Sequence, residues 1–417
     1  MIVILGAGPA GIGAALSLGP DAVVLERARD AAGLAGTIPF EGAIFDTGGH
    51  SFHTPHAGVR DLVFGALDMF EQTRQARCWH GGRLIDYPFQ AHVDQIADPA
   101  IAAECARGLA APGDGATPPH FEAYLTRRFG DGVARHFLLP YNRKLWGADL
   151  SRLAVGWTAE RIAAPAATRD GAGNGRRQPL GKDTVVAYPA QGGFGEIFLA
   201  LARRIPHLRF DRQIAWIDPI RRALKTVRGE TLEWHRLVST LALPDLASLL
   251  TTRPAWLLPE LRRLEAIALA LVMVVVDGPV GTPVQRVYSA DVNCPAHKLV
   301  INHNSSPALR ARPRHGIQAE VSLAGGEPAD LEARVVASLA EIGLIRDPGG
   351  VHAIHVVRIP RGYPVPTHDR DAIVGRASAW LEAHGIHTAG RFGEWAYINS
   401  DEALHRGLTL GRRLRGE

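Results

Sequence analysis

The residues that could do chemistry begin at position 6. Gly6-Ala7-Gly8-Pro9-Ala10-Gly11 is a GxGxxG turn, and its three glycines have separate physical tasks. Gly6 permits the tight turn, Gly8 lets backbone approach a pyrophosphate, and Gly11 lets a helix pack closely on a strand. A helix starting there would present unpaired N–H groups and the positive end of its dipole to phosphates. Glu26 stands twenty residues after Gly6, where a dinucleotide-binding βαβ unit needs a carboxylate for ribose hydroxyls. The chemistry indicated is the holding of a dinucleotide. A tight βα turn without a ligand is the plain alternative.

The rest of the composition narrows the class. The 417 residues are 46% hydrophobic and 21% charged, an ordinary globular composition whose length suggests two or three domains. No run reaches the length of a membrane span, Ala266 to Val276 being too short. The first strand begins at residue 2, which argues against a signal peptide, so the expected location is cytoplasmic. Cys78, Cys105 and Cys294 make neither a disulfide framework nor a metal motif. Net charge is +4, and lysine occurs only at 144, 182, 225 and 298, so nearly all the positive charge is arginine. No long basic run points to nucleic acid. Scattered guanidinium groups could still hold a small polyanion, because they bind diphosphate bidentately.

These residues need a scaffold. Ile2-Val3-Ile4-Leu5 and Ala22-Val23-Val24-Leu25 read as strands on either side of the glycine turn and its helix. Gly33-Leu34-Ala35-Gly36 and Phe45-Asp46-Thr47-Gly48-Gly49-His50 follow as further glycine turns, and Val59 to Ala66 as a helix. Arg74 to His80 and Arg83 to Tyr87, joined by Gly81-Gly82, read as a hairpin. Apolar residues at three- and four-residue spacing predict helices over Phe121 to Phe129 and Val133 to Leu139. Residues 166 to 186 are small, polar and glycine-rich, a loop that is either a lid or a passive surface segment. Strands alternate through 208 to 240, a β-rich stretch covers 267 to 303 and 317 to 322, and Val351 to Val357 reads as a further strand before a terminal helix. The expected fold is α/β. It has a discontinuous Rossmann-like FAD-binding domain (1–60, 187–245 and 350–417), an antiparallel β-sheet domain (61–90 and 246–349) and a helical insertion (91–186) with a mobile flap at about 166–186.

Further motifs join this frame: Tyr87-Pro88-Phe89-Gln90, Pro140-Tyr141-Asn142-x-Lys144-x-Trp146 and Trp157-x-x-Glu160-Arg161. Gly192-Gly193-x-Gly195, Asn293-Cys294-Pro295, Gly362-Tyr363-Pro364 and Gly390-Arg391-Phe392-Gly393-x-Trp395-x-Tyr397 follow. Together, and over nearly the full length, they resemble the UDP-galactopyranose mutases, most closely the eukaryotic-type branch, within the amine-oxidase-like FAD superfamily.

The resemblance implies an enzyme that interconverts pyranose and furanose forms of a nucleoside-diphosphate hexose, UDP-galactose-like, with no net redox change. FAD is active in its reduced form, with flavin N5 attacking the anomeric carbon to give a covalent flavin–sugar adduct. The partners implied are the nucleotide sugar and a reductant for the flavin, NAD(P)H or a reductase. Gly6, Gly8, Gly11, Glu26, Gly33, Leu34, Gly48, Gly49, His50 and Arg391 are then the cofactor residues. His50 is expected near the flavin ring, as a catalytic group or as a structural hydrogen-bonder. Arg161 is expected on the diphosphate, with Lys298 where the family has a second diphosphate arginine, and Tyr363 and Tyr397 donating hydroxyls to the same phosphates. Tyr87 and Phe89 would wall the nucleobase and Gln90 bond its edge, while Asn142 and Trp146 line the nucleotide channel. Tyr288 is a further candidate, with core packing as its alternative.

The chain departs from that pattern in two places. Lys298 keeps the charge of the family's arginine but loses its fork. The tail after Tyr397 is shorter, leaving Asn399 and Asp401 to compete for one polar role. The competing reading is an amine-oxidase-like FAD oxidoreductase acting on a small molecule, which leaves Arg161, Tyr363 and Tyr397 without a shared task.

Overall fold

Ile2–Leu5 and Ala22–Leu25 are apolar and buried at every residue, as strands covered on both faces of a parallel sheet must be. In the computed structural model, which describes residues 1–111, 117–162 and 184–416, they pair in parallel with Ile2 opposite Ala22. Arg236–Ser239 joins the other side of the first strand, and Ile386–Thr388 lies beyond it. The five-stranded parallel sheet therefore gathers the start, the middle and the end of the chain. The helix Pro9–Leu18 packs along the terminal helix Ser400–Arg415. The return strand expected at 237–240 and the terminal helix are both present.

The second sheet has seven strands, in the order Val351–Pro364, Ala266–Asp277, Arg314–Ser322, Lys298–Val300, Arg286–Ser289, Ala76–His80 and Arg83–Asp86. It is antiparallel except where Arg286–Ser289 runs parallel to Ala76–His80. Ala266–Asp277 is its spine, an aliphatic run buried almost throughout. Its side chains alternate between two cores, as a period of two requires. Leu269, Leu271, Met273 and Val275 pack with Phe121, Leu125 and Phe129 of the helical layer. Ala270, Val272 and Val274 pack with Val335 and Leu339 on the opposite face, from the helix Leu331–Glu341.

The helical layer contains Pro99–Ala110, Phe121–Val133 and Leu139–Trp146. A π-helical turn over Ala134–Leu138 leads into the last of these, delivering Asn142 and Trp146 to the interior. The hairpin at Gly81-Gly82 forms as the sequence predicts.

Three boundaries differ from expectation. Val351–Pro364 is a fourteen-residue strand paired with Ala266–Asp277, so this segment belongs to the antiparallel sheet and not to the nucleotide domain. The helix Ala57–Phe64 places Val59 and Val63 in one cluster with Ile2 and Ile4, so a boundary at residue 60 would cut a continuous core. Val185 and Val186, the end of the expected flap, are in a strand pairing with Gln72 and Thr73, because β-branched residues favour pleated pairing. Positions 166–183 of the expected flap lie outside the described residues. No helix among the described residues is long and apolar enough to cross a membrane.

Candidate active site

The glycine turn separates residues the chain itself needs from one that it does not. Gly6 has φ +99°, and an added Cβ would lie 2.3 Å from Thr240 Oγ1. At Gly11 it would lie 1.9 Å from the Gly6 carbonyl oxygen. Those two glycines make the turn. A Cβ on Gly8 would meet nothing within 4 Å, so no packing inside the chain explains its absence. The open space lies at the N-terminus of Pro9–Leu18, where no side chain caps the free N–H groups. Free helix N–H groups and the positive end of the dipole suit that cradle to phosphate. Glu26 is held beside it, its two oxygens accepting from Ala7 N at 2.7 Å and Ala28 N at 2.8 Å, with lone pairs remaining for ribose hydroxyls. Gly33, also expected here, would place a Cβ 3.4 Å from Gly8 Cα.

Beyond Leu34 and the Gly48-Gly49-His50 turn, a cavity of about 290 Å³ opens. It brings together every substrate residue expected from the sequence: Tyr87, Phe89, Gln90, Asn142, Trp146, Arg161, Tyr288, Lys298, Tyr363 and Tyr397. Leu34, Gly48, Gly49, His50 and Arg391 line it too. His50 stacks on Phe194 with ring centroids 4.8 Å apart, and its Nε2 lies 3.1 Å from the Leu34 carbonyl. Burial first, then the charge of Arg391, pushes His50 down to about 4. It is therefore a neutral imidazole near pH 7. Since a carbonyl only accepts, Nε2 carries the proton and Nδ1 is the acceptor. That geometry is the structural hydrogen-bonding alternative for His50.

Sequence reasoning misses Glu320, which organises one wall. Its side chain is 0% exposed. It lies opposite Lys298 in the sheet register, and its Oε2 accepts from Lys298 Nζ at 2.9 Å and from the Tyr363 hydroxyl at 3.1 Å. His297 Nε2 is 3.6 Å away, and Gly49 N donates to Oε1. Burial alone would raise this carboxyl, but Lys298 and His297 hold it well below the usual carboxylate range. The available signal was one acid among the residues Ile317-Gln318-Ala319-Glu320-Val321 of a strand with no other charge between His315 and Ser322.

Arg74 and Arg286 are also missed, and they are 5% and 3% exposed. Arg74 Nη2 donates to the Tyr288 hydroxyl at 2.7 Å, the guanidinium lies 4.6 Å from the Tyr87 ring centroid, and Nη1 is buried without a partner. Arg286 donates to Gln285 O at 2.7 Å, to His50 O, and to Ser51 Oγ at 3.3 Å. Among the described residues neither is paired with a carboxylate. Arg161 donates to Asn399 Oδ1 and to Tyr397 O, both at 2.5 Å. Arg391 donates to Ile398 O and Gly362 O, tying the last turn to the end of Val351–Pro364. Thus Arg74, Arg161, Arg286, Lys298 and Arg391 all line the cavity, and among the described residues no acidic side chain lines it.

The aromatic residues divide by depth. Tyr87 and Tyr288 face each other at 4.8 Å. Phe89 is 1% exposed and stacks on Phe137 at 4.5 Å, so it is as much core as wall. Gln90 is buried, and Asn142 Nδ2 donates to Leu138 O at 2.8 Å. Trp146 packs edge-on to Tyr397 at 5.3 Å, and its indole N–H is buried without an acceptor.

Comparison with known proteins bears on the fold. The family model described as an NAD(P)-binding Rossmann-like domain matches residues 4–64. A reduced UDP-galactopyranose mutase structure superposes with a TM-score of 0.90 at 24% identity, covering 100% of this chain and 93% of that one. The chain shares that fold. A fatty acid isomerase from P. acnes (TM-score 0.70, 15% identity, 99% and 98% coverage) and a redesigned putrescine oxidase (0.66, 15%, 100% and 98%) share it more loosely. At these identities the likeness is one of architecture, and it spans both isomerases and oxidases.

Proposed function

We propose that the chain is a flavin-dependent nucleotide-sugar mutase that interconverts pyranose and furanose forms of a nucleoside-diphosphate hexose, UDP-galactose-like, with FAD working in its reduced form. The observation that carries this reading is a cavity lined, among the described residues, by five cationic side chains and no acid, together with a glycine turn at whose Gly8 an added Cβ would meet nothing within 4 Å. The cradle fits a dinucleotide phosphate, and Leu34, Gly48, Gly49 and His50 stand where its ring end would reach the cavity. When bound, reduced FAD would supply the nucleophile for the sugar's anomeric carbon without net electron transfer.

The chain's own residues have three tasks. Arg161, which donates to Asn399 Oδ1 and Tyr397 O, would turn its fork to diphosphate oxygens, a charge-assisted and bidentate arrangement. Lys298, held in place by Glu320, would add a point charge, and the Tyr363 and Tyr397 hydroxyls would donate to the same phosphates. Holding the diphosphate after the C1–O bond breaks lets it return to the same face, the entropic part of the catalysis. Trp146 and Tyr397 pack edge-on and keep that end dry, which strengthens each charge interaction. Tyr87, Tyr288 and Gln90 would receive the nucleobase. The proposal includes a cytoplasmic location and a reductant, NAD(P)H or a reductase. A wall of five cations repels a cationic amine, which disfavours the amine-oxidase reading.

Calorimetric titration with UDP, GDP and TDP tests the site. Arg161→Ala should weaken binding of the preferred nucleotide by roughly a hundredfold, from two lost charge-assisted bonds, with bound FAD unchanged. Equal affinity in the variant would overturn the assignment.

A further inference from the structure

Lys144 sits between Asn142 and Trp146 on the helix Leu139–Trp146, yet its side chain does not line the cavity. Its Nζ points to four main-chain carbonyls: Asp291 O at 2.6 Å, Cys294 O at 2.8 Å, Ser289 O at 2.9 Å and Ala296 O at 3.3 Å. An ammonium has three protons, so four acceptors exceed what it can satisfy one by one. The arrangement is the coordination shell of a small cation. All four carbonyls belong to one segment, 289–296, which runs straight into Lys298–Val300. The residues that follow are the cavity's own: His297 N donates to Glu320 O at 3.1 Å, and Lys298 pairs with the Glu320 carboxylate.

We propose that Lys144 is a built-in monovalent cation that orders the 289–296 segment and so fixes Lys298 and His297 in the cavity. It is a positioning residue, acting through four carbonyls of a segment that Arg334 touches only at its edge, Nη2 lying 3.5 Å from Val292 O. The carbonyl cage is a site in its own right: with the side chain shortened, it takes a free alkylammonium ion. Burial pulls the Lys144 ammonium down to about 8, in keeping with a cation that has exchanged water for carbonyl oxygens. The statement about Lys298 rests on the proposed function; the ordering of the segment does not.

The test compares Lys144→Ala, which opens the cage, with Lys144→Met, which fills it without charge. Hydrogen exchange of the amides at 290–297 is measured without nucleotide, with ammonium, methyl-, ethyl- and propylammonium added in turn. Both variants should exchange about tenfold faster or more than the parent, an opening cheaper by roughly 1.4 kcal/mol. Ethyl- or propylammonium should restore protection, saturably, in the Ala variant and not in the Met variant, and UDP affinity should return with it. Parent-like protection in Lys144→Met, or amine effects equal in both variants, would overturn the proposal. If neither variant folds unaided, the comparison is read as recovery of a cooperative melt on refolding with propylammonium, and recovery of neither refutes the cage. Failure of the parent to bind any nucleotide would instead count against the proposed function and leave the exchange result standing.

Discussion

Replacing Glu320 by Gln keeps the shape of the side chain and removes the charge that Lys298, His297 and Gly49 share. At 2.9 Å and an effective dielectric of about 20, the Lys298–Glu320 attraction is roughly 6 kcal/mol. Lys298 is 13% exposed and regains a little hydration, so the expected net loss is about 3–5 kcal/mol, as for a buried pair broken from one side. Lys298→Met alone leaves the carboxylate buried beside neutral His297 and should cost a comparable amount. The double variant leaves no unpaired charge. Its loss should fall short of the sum of the single losses by about 2 kcal/mol or more. Urea unfolding midpoints for the four proteins complete the cycle. The same Glu320→Gln variant should bind UDP no more weakly than the parent at a temperature where both are folded, because a carboxylate beside the anion site opposes the diphosphate. Additive losses within about 0.5 kcal/mol, or unchanged stability in Glu320→Gln, would refute the view of Glu320 as the anchor of Lys298.

Gly8→Ala should leave folding within about 0.5 kcal/mol of the parent, since its Cβ meets nothing, yet purify with little or no flavin. Gly6→Ala should fail to fold well for the opposite reason, with a Cβ 2.3 Å from Thr240 Oγ1. Absorbance at flavin wavelengths beside thermal melts separates the two, and a fully loaded Gly8→Ala would sink the cradle assignment. His303 is buried and stacked on His315 at 4.7 Å, and burial, then His315 and Arg312, push it down to about 3. Below its unfolded value of 6.5 the unfolded chain takes up a proton that the folded chain refuses. Its contribution is therefore intact above pH 6.5 and lost as pH falls toward 3, roughly 2 kcal/mol of it between pH 7 and pH 5. The stability gap between the parent and His303→Gln should narrow by that amount over those two pH units, and a constant gap would show that His303 titrates normally.

The parts of the site legible in the sequence are those whose meaning is local. Gly6, Gly8, Gly11 and Glu26 are read within one βαβ unit, and the hairpin at Gly81-Gly82 within a dozen residues. The cavity residues Tyr87, Asn142, Trp146, Arg161, Tyr363 and Tyr397 were legible only as matches to a family's motifs. Glu320, Arg74 and Arg286 were not legible, because their meaning lies in strand register. Glu320 becomes a partner of Lys298 only when the two strands are paired, and Arg286 comes beside Ala76 only through a parallel crossover. Val351–Pro364 was misplaced for the same reason. Its half-buried, histidine- and arginine-bearing face gives no local sign of the sheet it edges, and chain position near the nucleotide domain's last strand suggested the wrong one.

The central claim is that this cavity works on a sugar diphosphate with a reduced flavin that is not consumed. The most direct measurement is anaerobic incubation of the FAD-loaded protein with UDP-galactopyranose, with and without prior dithionite reduction, and chromatographic separation of the products. Reduced protein should form the furanose isomer over many turnovers on one reduction, while oxidised protein forms none. Turnover with oxidised flavin, or consumption of one reducing equivalent pair per product, would contradict the account.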